Sequence, residues 1–73
     1  MNPFAKRRIE ANLRQEQAAE ALRVDRSTVA KWETGKAKPR AEKLLAVAKL
    51  YHCPVEALLS DEDETPEDIE KVV

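Results

Sequence analysis

The sequence predicts an all-α protein: a compact domain of five helices over residues 1–59, followed by an acidic tail over residues 60–73. Three observations carry this expectation. The 73 residues are rich in Ala, Leu, Glu, Lys and Arg, all good helix formers, and no stretch shows the two-residue alternation of β-branched residues that marks a strand. Apolar residues recur three and four positions apart in short segments, and these are separated by breaks at Asn12, Arg23-Val24-Asp25, Gly35 to Pro39 and His52-Cys53-Pro54. The charges are segregated as well. Residues 1–59 hold 12 Lys and Arg against 7 Asp and Glu, a balance of +5, while residues 60–73 hold 7 acids and one base, Lys71, a balance of −6. The overall charge of −1 therefore averages a basic body with an acidic tail.

The elements follow in order. Asn2-Pro3 is a helix start, a capping residue followed by proline at the first helical position. Phe4, Ala5, Arg8 and Ile9 continue it at helical spacing, and Asn12 is expected to end it in a left-handed conformation, giving a first helix of about 3–11. Gln15 to Leu22 forms a second helix, with Ala18, Ala19 and Leu22 on one face. Asp25 caps a third, about 26–33, in which Val29 and Trp32 share the apolar face and Arg26, Ser27, Thr28 and Lys31 take the other side. Leu44, Leu45, Val47, Ala48 and Tyr51 form a broad stripe on a fourth helix from about Arg40 to Tyr51. Pro54 opens a short fifth helix, Val55 to Leu59. The tail has few large apolar groups before Ile69, Val72 and Val73, and is expected to be disordered or weakly helical.

Composition excludes several classes. No apolar run approaches the ~20 residues of a membrane span, and no apolar stretch follows the charges of Lys6-Arg7-Arg8, so the N-terminus does not read as a signal peptide. The single Cys53 cannot form an internal disulfide, which fits a reducing, cytoplasmic location. His52 and Cys53 are adjacent and have no second ligand pair, so no metal is expected, and Cys53 reads as a small core residue. The run Asp61-Glu62-Asp63-Glu64 lacks the spaced ligands and central glycine of a calcium loop. No nucleophile, base and orienting group can be assembled, so neither an enzyme nor a cofactor is expected.

The functional signal lies in the second and third helices, joined by a three-residue turn. The contact between them is expected to use small residues, Ala18, Ala19 and Ala21 against Val29 and Ala30, because a steep crossing through so short a turn leaves little room. The third helix then offers Arg26, Ser27, Thr28 and Lys31, donors and hydroxyls of a size that reaches base edges in a major groove. The stretch from Leu13 to Lys36, with Gln15 and Ala19 before the turn and Glu33-Thr34-Gly35-Lys36 after it, resembles the phage-repressor or Cro-like helix-turn-helix family, also called XRE. The resemblance continues through Pro39, Leu44, Leu45, Ala48, Val55 and Leu58, and covers roughly residues 4–59.

This resemblance implies a lambda-repressor-like fold and a sequence-specific transcriptional regulator of double-stranded DNA. It implies that Arg26, Ser27, Thr28 and Lys31 read bases, with Arg26 forking onto guanine, and that Gln15, Lys36, Lys38 and Arg40 contact the DNA backbone. Gln15 is expected to donate to phosphate while accepting from a neighbour that it braces. Arg8 and Glu33 match an ion pair that fixes the recognition helix. The family often has glycine where Arg23 and His52 stand, so some backbone strain is expected at both. A homodimer on a pseudo-palindromic operator is expected, because one small domain reads few base pairs; Leu59, Ile69, Val72 and Val73 are the candidate dimer surface. Two alternatives share the fold: an antitoxin or accessory regulator whose tail binds a protein partner, and a protein-interaction module that has lost DNA binding.

Overall fold

Five helices make up the chain in a computed structural model, which describes residues 2–59; Met1 and residues 60–73, and with them the expected character of the tail, lie outside the described residues. The helices are α1 (Pro3–Glu10), α2 (Gln15–Leu22), α3 (Arg26–Thr34), α4 (Ala41–Leu50) and α5 (Val55–Leu59). No helix of the described residues is long and apolar enough to cross a membrane.

Helix α1 starts as its first two residues dictate. Asn2 Oδ1 accepts from the Phe4 amide at 2.7 Å, and Pro3 fills the position whose N–H would have no partner. The same Asn2 side chain donates through Nδ2 to the Trp32 carbonyl at 3.1 Å, so the cap also ties the start of the domain to α3. At α2 the Gln17 side chain accepts from the Arg14 amide at 2.8 Å, half of a capping box, since an arginine side chain has no acceptor to complete it. Asp25 stands at the N-cap of α3, but its side chain makes no capping bond. Arg40 is the N-cap of α4 and lies outside the helix it was expected to open.

The first four helices end in one way. A left-handed residue, Asn12, Arg23, Gly35 or His52 in turn, donates three residues back, and the residue after it donates five residues back. The second bonds are Leu13 to Arg8, Val24 to Ala19, Lys36 to Lys31 and Cys53 to Ala48, at 3.0 to 3.2 Å. This Schellman pattern satisfies carbonyls that the helix itself leaves open. Only one of the four positions is glycine; Arg23 (φ 61°) and His52 (φ 57°) adopt the strained conformation expected of them. The α2 terminus has a further partner, Lys43 Nζ on α4, which donates to the Leu22 carbonyl at 2.9 Å.

The core consists of Phe4, Ala18, Ala19, Leu22, Val29, Trp32, Val47, Ala48, Tyr51 and Leu58. α2 packs on α3 and α4, while α1 and α4 both meet α5 and α1 also meets α3. Trp32 is a core residue with its ring tilted against Phe4, the centroids 6.2 Å apart. Three expectations of burial need correction, and one further apolar residue, Ile9, is exposed. Ala21 is exposed: on α2 the face that meets α3 is carried by Ala18, Ala19 and Leu22, and Ala21 falls outside that arc. Ile9 and Leu45 are also exposed, Leu45 by 57%, because each lies at the margin of its helix's apolar stripe where no neighbouring helix covers it. Cys53 is only half-buried, packed against the edge of the core; that burial raises its thiol pKa.

Candidate nucleic-acid interface

The short turn Arg23-Val24-Asp25 sets α3 across α2 with its apolar side, Val29 and Trp32, turned into the core. The opposite side must then face outward. It borders an open groove of about 480 Å³ lined by Gln15, Arg26, Ser27, Ala30, Lys31, Thr34 and Lys36. Three cations and two hydroxyls line this groove, and among the described residues no carboxylate does. With its side chains an α-helix is about 10–12 Å across, so α3 fits a major groove about 12 Å wide.

The structure gathers some expected site residues and separates others. Arg26, Ser27 and Lys31 share the groove with Gln15 and Lys36. Thr28 does not line it; it is half-buried, one step round the helix toward the core face. Lys38 and Arg40 are exposed on the connection between α3 and α4, beyond the groove, and Lys38 instead borders hollows beside Phe4, Leu58 and Leu59. Two further residues line the groove: Thr34, and Ala30, which was expected in the contact with α2. Helical spacing from Ser27 through Ala30 and Lys31 to Thr34 contains them, but the third helix was expected to stop at residue 33. Thr34 is its last residue, and its hydroxyl donates to the Lys31 carbonyl at 3.3 Å.

Behind the groove, one carboxylate fixes three helices. Arg8 of α1 donates to Glu33 of α3 through Nε at 2.6 Å and Nη2 at 3.2 Å, a planar two-pronged match. Arg8 Nη1 donates onward to the Leu13 carbonyl at 2.7 Å. Gln15 of α2 donates through Nε2 to Glu33 Oε1 at 3.0 Å. An ionised carboxylate only accepts, so the amide nitrogen must face it. Gln15 therefore braces its neighbour by donating, the reverse of the expected polarity, and keeps its carbonyl oxygen and second N–H for other partners. The pair is largely withdrawn from water, with side chains 14% and 7% exposed, and the Glu33 hydrogen bonds raise the Arg8 pKa above its ordinary value.

A three-residue turn, a second helix presenting cations and hydroxyls, and a buried brace that sets its angle define a helix-turn-helix domain of the DNA-binding class. The family described as Helix-turn-helix matches residues 4–58, and the chain belongs to that family. Two curated relatives are similar. The HTH-type transcriptional activator BcrR of Enterococcus faecalis is 44% identical over 52 residues, which is 71% of this chain and 26% of that protein. The HTH-type transcriptional regulator DicA of Escherichia coli (strain K12) is 36% identical over 53 residues, 71% of this chain and 39% of that protein. The chain thus spans well under half the length of either relative. No solved structure matches the chain significantly.

Proposed function

We propose that the chain is a sequence-specific transcriptional regulator that docks α3 in the major groove of duplex DNA. The observation that carries this is the groove along α3, lined by Arg26, Lys31, Lys36 and hydroxyls and, among the described residues, by no carboxylate. Arg26 and Lys31 are long enough to reach guanine acceptors, Ser27 can donate to or accept from a base edge, and Thr28 meets the flank of the site. Gln15 donates to a phosphate with the second N–H that Glu33 leaves free, and Lys36, Lys38 and Arg40 follow the backbone along the connection after α3. Residues 1–59 are the DNA-binding unit and residues 60–73 an acidic appendage, working in the cytoplasm.

Two copies are needed for useful specificity, since one small module buries little DNA surface. Leu59, 64% exposed beside a hollow formed by Phe4, Pro39, Leu44 and Leu58, is where a second copy would meet the first on a pseudo-palindromic operator. Selection from random duplexes tests the whole reading. It is expected to return a two-fold related site whose binding weakens steeply as salt rises. Failure to enrich any duplex at low salt refutes it.

A further inference from the structure

Among the described residues several basic side chains are partnered and several are not. Some are engaged: Arg7 with Glu10, Arg8 with Glu33, and Lys43 with the Leu22 carbonyl. Those of the groove and the following connection, Arg26, Lys31, Lys36, Lys38 and Arg40, are exposed and have no ion pair or side-chain hydrogen bond among the described residues. The connection is also where the chain returns after α5. Leu59, the last residue of that helix, borders the same two hollows as Lys38. Two residues further on begins the run Asp61-Glu62-Asp63-Glu64, followed by Glu67, Asp68 and Glu70.

We infer that this acidic segment docks on the basic strip Lys36–Lys38–Arg40 of its own chain and occupies the phosphate positions of the DNA interface. The inference rests on the reading of that strip as a phosphate track. The charges are complementary, −6 for residues 60–73 against a body of +5. The reach is ample, because at ~3.3 Å per residue the ten residues after Leu59 span roughly 33 Å, while Lys38 adjoins Leu59 itself. Tethering supplies a local concentration in the millimolar range, so even weak carboxylate–ammonium contacts are populated at low salt and are screened as the Debye length falls below about 8 Å. The segment must leave before a duplex can enter, so it weakens binding to all duplexes alike and flattens the dependence on salt.

The test compares the full chain with a full-length variant in which the seven acids become amides (Asp61→Asn, Glu62→Gln, Asp63→Asn, Glu64→Gln, Glu67→Gln, Asp68→Asn, Glu70→Gln). Backbone amide NMR shifts of Lys31, Lys36, Lys38 and Arg40 are recorded without DNA, and affinity for a random-sequence duplex is measured by fluorescence anisotropy from low to high salt. Neutralisation is expected to move these shifts and to tighten low-salt binding on the order of three- to tenfold, with the gap closing at high salt. Unmoved shifts overturn the docking. Moved shifts with equal duplex affinities overturn the competition. If neither chain binds any duplex while the shifts still move, the DNA-binding reading falls and the intramolecular contact stands.

Discussion

Truncating Arg8 to alanine is expected to lower the domain's stability by about 2–3 kcal/mol. The substitution removes two charge-assisted hydrogen bonds to Glu33 and one to the Leu13 carbonyl, and leaves the carboxylate with Gln15 alone. Breaking a fully buried ion pair costs roughly 3–5 kcal/mol, chiefly because one charge is left without a partner. Here the shortened side chain lets water reach Glu33, which places the cost below that range. In a domain of this size 1 kcal/mol moves the melting temperature by about 4–8 °C, so a fall of roughly 10–20 °C is expected by thermal circular dichroism. Arg8→Lys should lie between, since an ammonium lacks the planar fork. A double-mutant cycle with Glu33→Ala isolates the pair, and a coupling of at least about 1 kcal/mol is expected. A melting temperature for Arg8→Ala within 2 °C of the parent, or a coupling near zero, would refute the account of Glu33 as the brace of the recognition helix.

Three further outcomes are expected. Arg26→Ala and Lys31→Ala should each cost about 1–3 kcal/mol in affinity for the selected duplex with the melting temperature unchanged, and equal losses on random DNA would show phosphate contact instead of base reading. Arg23→Gly should stabilise the domain by roughly 0.5–1 kcal/mol, because removing the Cβ from a left-handed residue relieves more strain than the added chain freedom costs, and a loss in chemical denaturation would contradict this. Burial pushes the Tyr51 hydroxyl pKa up to about 12, and that oxygen has no hydrogen-bond partner among the described residues. With the folded pKa above the unfolded value near 10, this contribution to stability is fully present below pH 10 and is lost as pH rises through 12; Tyr51→Phe should abolish the loss in that window and leave neutral stability equal or higher.

Much of the fold was legible because local rules and packing agree. Asn2-Pro3 announces the first helix, Gly35 and Pro39 the loop after the third, and the spacing of Val29 and Trp32 the buried side of α3. The errors share a physical cause. Periodicity gives the direction of a side chain but not the width of the surface that covers it, so Ala21 and Leu45 were assigned to faces whose margins lie in water. At the site, Arg26, Ser27 and Lys31 follow from their spacing, whereas Thr34 escaped because one extra residue of helix carries the groove further, and Ala30 because it was assigned to the contact with α2. The polarity of the Gln15 contact was not legible from sequence, since an amide can donate or accept and only the partner the fold brings to it, the acceptor carboxylate of Glu33, decides. Lys43 gave no signal at all: its role arises from where α4 passes the end of α2.

The Asn2 side chain has a consequence for the order in which the domain assembles. Its two ends join the first turn of α1 to the Trp32 carbonyl 30 residues later, and Arg8 reaches Glu33 across 25. The α2–α3 pair needs no such distant partner, because its contacts span one short turn. During synthesis, at ~5–20 residues per second, α1 therefore emerges a second or more before either of its anchors on α3 exists. The helix-turn-helix unit is the first part of the chain able to close on itself, and α1 is recruited to it afterwards, so the earliest segment made is among the last to be secured.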